Sequence, residues 1–127
     1  MDSLVNYNLI VNEISLKNNN LRNGQFEANI NLRRNIDKKD DSHYFVTLIL
    51  TVTNDVEHPF PVDLKVSISG LFDVSKLKEK DIQDFVDIQT CQLLLPHVRS
   101  IIASLTASAM IPPLLIPIVD ARKLFND

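Results

Sequence analysis

Residues 93–119, LLLPHVRSIIASLTASAMIPPLLIPIV, form the longest apolar stretch of the chain, and they set its folding problem because they must be covered by something else. In the first half, Leu94, Val98, Ile101, Ile102, Leu105 and Ala109 recur at intervals of three and four, which on a helix stacks them on one face. The other side carries Ser100, Ala103, Ser104, Ala107 and Ser108. Such small residues let a second helix come close, so this side is the expected oligomer interface. Pro96 is tolerated if it falls in the first helical turn, and it kinks the helix if the helix begins earlier. The second half holds Pro112, Pro113 and Pro117 and cannot continue the helix. It reads as an extended apolar loop, either buried or open to a ligand.

Upstream, the pattern changes from a helical period to a period of two. Residues 7–16 read as a strand with Ile10, Ile14 and Leu16 on one side and Glu13 and Ser15 on the other, followed by an Asn/Gly-rich turn. Phe26, Ala28, Ile30 and Leu32 alternate with Glu27, Asn29, Asn31 and Arg33 in a second strand, which the charged run 33–41 is expected to close. Tyr44, Val46, Leu48, Leu50 and Val52 alternate with Thr47, Ile49, Thr51 and Thr53, a β-branched density that favours extended backbone. After a turn over residues 54–61, Val62, Leu64, Val66 and Ile68 form the hairpin partner; Gly70 ends the alternation and Leu71 and Phe72 prolong its apolar side. Short connections between four strands imply an antiparallel sheet. Residues 75–92 read as a crossover carrying a short helix with Ile82, Phe85 and Val86 at helical spacing, and Asp120 as the cap of a last turn. The expected class is α+β: a four-stranded antiparallel sheet, a crossover, and a long helix packed on one face.

A chain of 127 residues suffices for one domain, 1–127, with a sizeable core. A net charge of −3 gives no reason to expect nucleic acid. The single cysteine, Cys91, excludes an internal disulfide and fits a reducing compartment. The N-terminus lacks a basic, secretory character, and Pro96, His97, Arg99 and the later prolines cut the apolar run below the ~20 residues of a membrane span. A soluble cytoplasmic protein without direct membrane insertion is expected. His43, His58 and His97 fall on separate elements, and Cys91 has no basic neighbour in sequence and reads as an inert buried thiol. Asp81, Asp84 and Asp87, spaced by three, read as a solvated face, since no calcium-type loop surrounds them. Only Gly24 and Gly70 occur, which removes phosphate-cradling glycine loops. No acid, base and nucleophile converge, so no enzyme, cofactor or metal is expected. What remains is surplus apolar surface at Ile82, Phe85, Val86, Leu114, Leu115, Ile116, Ile118 and Val119, half of it accounted for by completing the core and the rest fitting an interface or a peptide groove.

The ordered set VTLILTVTND…PFPVDLKVSISGLFDV, a 23-residue crossover, LLLPHVRSIIASL and IPPLLIPIVDARKLF resembles the SecB family of export chaperones from about Ile10 onward. The matching pieces are Leu94 to Arg99, which opens the long helix, then Pro112-x-Leu114, then 120–125. The resemblance implies a homotetramer, a dimer of dimers with the long helices at its centre. It further implies a holdase that binds unfolded polypeptide clients in apolar grooves beside the crossover and the proline loop, without nucleotide or metal. The peptide-binding set on this reading is Phe72, Leu77, Ile82, Phe85, Val86, Leu114, Leu115, Ile116 and Ile118. Three departures bear on the carry-over. Lys17 and Lys65 stand where the family carries carboxylates that dock the SecA motor, which makes SecA docking doubtful; the chain is shorter after residue 120 than typical members; and Ser108-Ala109 replaces the usual Arg-Gly at the helix end. Two function classes follow: an ATP-independent chaperone, for export or for a dedicated client such as an antitoxin, and a structural assembly oligomer of the same fold with filled grooves.

Overall fold

Valine, leucine and threonine in strict alternation build the centre of the fold. The computed structural model describes residues 5–21, 26, 29–57, 59–111 and 114. Its strands are β1 (Asn6–Asn18), β2 (Asn29–Lys38), β3 (His43–Thr53) and β4 (Val62–Asp73), joined antiparallel in the order β1-β4-β3-β2. Strands β2, β3 and β4 follow one another as hairpins while β1 closes against β4, which is a Greek-key arrangement. The fold class is as the alternation predicts. Val46, Leu48, Leu50 and Val52 of β3 and Val62, Leu64, Val66, Ile68 and Phe72 of β4 are all buried on one face.

Three strand expectations need correction. The charged run does not close β2, which continues in register to the pair Lys38 with Tyr44, because Ile36 and Arg34 keep pointing to the inner face. Gly70 does not end β4; the strand runs to Asp73 with Leu71 on the outer face and Phe72 on the inner one. In β1, Ile10 and Ile14 do not share a face. A bulge at Asn12 shifts the register, so that Ile10 opposes Ser69 on the outer face and Ile14 opposes Val66 on the inner one. The bulged amide is anchored there: Asn12 Nδ2 donates to Ser69 Oγ at 2.7 Å and to Ser67 Oγ at 3.3 Å, and Ser69 Oγ also meets Thr47 Oγ1 at 2.7 Å.

After β4 the chain enters helix far earlier than the spacing of residues 94–109 predicts. Helix α1 (Glu79–Asp84) passes through a π-helical turn (Phe85–Gln89) directly into α2 (Thr90–Ser108). Pro96 therefore lies inside α2, with its ring exposed and no N–H to give to the ladder. Cys91, Leu94, Leu95, Val98 and Ile102 are buried against β4 and β3. Burying each large apolar side chain contributes about 1.5–3 kcal/mol, which is what holds a helix of modest intrinsic propensity in place. At its end, the Met110 N–H bonds to the Ala107 carbonyl at 3.1 Å and the Ile111 N–H to that of Thr106 at 3.2 Å. This is a Schellman stop, with Met110 at φ 60° where glycine is usual. The expected last turn at 120–125 lies outside the described residues.

Gly70 is needed for a steric reason. A Cβ there would lie 2.6 Å from Phe72 Cε2, 2.8 Å from Cζ and 3.2 Å from Leu9 Cδ2. The Phe72 ring cannot move aside, because it stacks on Tyr7 at 5.3 Å and meets Phe85 edge-on at 6.1 Å. Gly70→Ala is expected to lower stability by about 1–3 kcal/mol in urea unfolding; an unchanged midpoint would show that the aromatic cluster is free to shift.

Candidate functional site

The apolar face of the sheet is wider than its roof. Helix α2 packs on β4 and β3, and the outer strands keep apolar side chains in the open. On β1, Tyr7, Val11 and Ile14 are 37%, 44% and 46% exposed, and Ile10 on the other face is 56% exposed. Ile30 of β2 and Leu71 of β4 are exposed as well. This β1 strip was not expected as a site, since an alternating strand was assumed to be covered by the helix.

The residues expected to form a peptide groove fall into three groups. Phe72, Leu77, Phe85 and Val86 are buried in the chain's own core, Phe72 and Phe85 in direct ring contact. Ile82 and Leu114 are half-buried at its border, the Leu114 N–H donating to Thr106 Oγ1 at 3.1 Å. Leu115, Ile116 and Ile118 lie outside the described residues. The small-residue side of α2 stays uncovered: Ser100, Ser104, Ala107 and Ser108 are exposed and Ala103 is half-exposed.

Ile82 opens onto a cleft of about 540 Å³ beneath α1, lined also by Lys38, Asp41, Tyr44, Glu79 and Gln83. Just C-terminal to it, the π turn is tied down by side chains. The Thr90 N–H reaches back to the Phe85 carbonyl, Thr90 Oγ1 donates to the Val86 carbonyl at 2.7 Å, and the Arg34 guanidinium crosses from β2 to the Asp87 carbonyl. Arg34 also bonds to Cys91, whose thiol is pushed up in pKa chiefly by burial. Cys91 is thus a buried thiol held in its protonated, unreactive form.

Titratable groups gather at the same end of the sheet, around the β2–β3 turn next to that cleft. His43 Nδ1 lies 2.9 Å from Asp40 Oδ1 and its Nε2 lies 3.9 Å from Asp73 Oδ2, beside a shallow cavity of about 360 Å³ that Tyr7 and Leu71 also line. The hydrogen bond to Asp40 raises the His43 pKa above its ordinary 6.5, aided by the charges of Asp40 and Asp73. Asp40 is lowered from 3.8, first by that same bond. His97 is exposed on α2, and His58 lies outside the described residues. Among the described residues no group of three or more His, Cys, Asp or Glu could hold a metal ion, and no helix is long and apolar enough to cross a membrane. On the outer sheet face, Lys65 Nζ pairs with Glu13 Oε1 at 3.1 Å.

Residues 8–127 match the SecB family, preprotein translocase subunit SecB. The uncharacterised protein MJ0357 of Methanocaldococcus jannaschii is 31% identical over 112 residues, which cover 85% of this chain and 68% of that protein. The protein-export protein SecB of Bartonella bacilliformis is 29% identical over 120 residues, covering 90% and 76%. Among solved structures, the Mycobacterium tuberculosis Rv1957 SecB-like chaperone, in complex with a ChAD peptide from the Rv1956 HigA1 antitoxin, superposes with a TM-score of 0.71 at 13% identity, over 94% of this chain and 90% of that one. At that identity the likeness speaks for the fold.

The His43 corner carries a pH dependence with a defined sign. His43, raised in the folded state, contributes stability that is full below its unfolded pKa of 6.5 and is lost as pH rises through the folded value. Asp40, lowered in the folded state, contributes above its unfolded 3.8 and loses that contribution as pH falls through its folded value. The pair therefore contributes most between those two titrations. Stability measured from pH 5 to 8 is expected to decline above neutrality in the native chain and to decline less in His43→Gln; parallel curves would remove the pair from the pH response.

Proposed function

The chain belongs to the SecB family, a family of chaperones and not of enzymes, and from that premise we propose that it is an ATP-independent holdase for non-native polypeptide. The observation that carries the reading is that, among the described residues, a closely packed core stands beside large apolar residues left uncovered, Tyr7, Ile10, Val11, Ile14, Ile30 and Leu71 among them. Extended clients would dock beside α1 and the proline loop, with Ile82 and Leu114 as the accessible members of the groove and Phe72, Leu77, Phe85 and Val86 as a buried reserve. Exposing Phe85 and Val86 costs about 1.5–3 kcal/mol each, a cost that a client covering equal apolar area returns. The closed form then dominates until a client arrives. No nucleotide enters this cycle, and the working compartment is the cytoplasm.

Assembly is part of the proposal. A dimer of dimers needs two different self-complementary surfaces. This chain offers the backbone edge of β1, an outer strand of the sheet, and the small-residue side of α2. The client would be a segment of polypeptide, in export or from a dedicated partner; the antitoxin peptide held by the Rv1957 chaperone supports the ligand class. The pairing of Lys65 with Glu13 favours a dedicated client over SecA delivery, because it neutralises an acid on the outer face. A second reading, a structural oligomer with grooves filled by its own side chains, is favoured by the complete burial of Phe72, Phe85 and Val86.

A chemically unfolded, aggregation-prone protein diluted into buffer with this chain, without ATP, is expected to scatter less light, with suppression saturating near one client per oligomer. Unchanged scattering at excess, with no binding of an apolar dye, would favour the structural oligomer. The mass in solution is expected to be that of four copies and to halve in Ser104→Arg, whose position is exposed in the single chain; a native mass of one copy would overturn the assembly.

A further inference from the structure

The helical run from Glu79 to Ser108 is uninterrupted but not uniform, and its irregular point lies where the surface meets the core. Helix α1 buries none of its residues, whereas Phe85 and Val86, the next two, are 0% and 1% exposed. Between α1 and the end of the sheet lies the cleft of about 540 Å³, so α1 is not packed down onto β2 and β3. Three bonds hold the π turn: Thr90 N–H to Phe85, Thr90 Oγ1 to Val86, and Arg34 to the Asp87 carbonyl. The last comes from another element. Arg34 stands on the inner face of β2 in register with Leu48 of β3, a cation among aliphatic neighbours whose guanidinium is aimed at helix backbone.

We propose that the π turn is a hinge and that Arg34 is its latch, gating the groove that the holdase reading requires and on which this inference rests. A π turn holds one residue more than an α turn. When Arg34 leaves the Asp87 carbonyl, the segment can relax to α register, which rotates everything N-terminal to it by about 100°. That rotation swings Ile82 off the cleft and draws Phe85 and Val86 out of the core, uncovering Phe72, which Phe85 meets edge-on. The freed guanidinium then meets a main-chain carbonyl of the incoming segment, an acceptor of the same chemistry as the one it released. A client can shift this equilibrium only through contacts made in the open form. It supplies two: apolar cover for Phe85 and Val86, and a carbonyl for Arg34. Because every polypeptide has that carbonyl, the gate reads extended backbone with apolar side chains and no particular sequence.

Hydrogen exchange followed by mass spectrometry on the full chain tests the latch separately from the holdase. In Arg34→Ala the amides of residues 79–90 are expected to exchange at least about tenfold faster, while those of Val62–Asp73 change by less than about twofold. Arg34→Lys, which keeps the charge but not the fork, is expected in between, and Thr90→Val to act in the same direction as Arg34→Ala. A reduced, carboxymethylated protein, which stays unfolded, is expected to speed the same amides in the native chain. Equal acceleration of β4 and residues 79–90 would make Arg34 a residue of global stability and overturn the latch, as would unchanged exchange at 79–90. Should Arg34→Ala fail to fold, Arg34→Lys and Thr90→Val carry the same comparison. Local opening in the variants of a chain that suppresses no aggregation would support the hinge and sink the holdase.

Discussion

Among the described residues a single long helix, α2, roofs a four-stranded sheet, and the arrangement of the rest depends on that constraint. Strands about 4.8 Å apart make a face roughly 19 Å wide, and a helix with its side chains is about 10–12 Å across. One helix can therefore seal the two middle strands and no more. Helix α2 does so over β3 and β4, whose inner residues are buried, and the margin falls on β1 and β2, where Tyr7, Val11, Ile14 and Ile30 stay open. The uncovered apolar surface on β1 and β2 follows from this mismatch of widths.

The central sheet and the buried stripe of α2 were legible in the sequence because their alternation and three-four spacing are regular, and regular burial leaves a regular pattern. Val46 to Val52 and Leu94 to Ile102 are examples. The small-residue side was legible for the same reason. The start of the helix was not. Lys76, Lys78, Glu79 and Lys80 look like a mobile linker, and the π turn breaks the spacing that would have joined Ile82 and Phe85 to Leu94. Phe85 and Val86 entered the groove set through the family resemblance, whereas the π turn that carries them sets both side chains into the chain's own core. The β1 strip was missed because one bulged residue inverts the pattern.

Polar side chains bond to the backbone at several irregular points. Arg34 and Thr90 satisfy carbonyls of the π turn, Thr106 Oγ1 takes the Leu114 N–H after the helix has stopped, and Asn54 and Asp63 brace the β3–β4 loop through the Phe60 and Asn54 N–H groups at 2.9 and 2.7 Å. Leaving such groups unpaired in the interior costs about 1–3 kcal/mol each. Each of these side chains thus fixes a bend that hydrophobic packing alone would leave undetermined.

The bulge at Asn12 makes β1 two half-strands of opposite phase within one ladder. Loss of one codon at position 12 would not shorten the strand appreciably. It would remove the bulge and join the two halves into one regular ladder, with Val11 still opposite Ile68 and Glu13 still opposite Ser67, so inside and outside would stay as they are and only the extra twist and the Asn12 bonds to Ser67 and Ser69 would be lost.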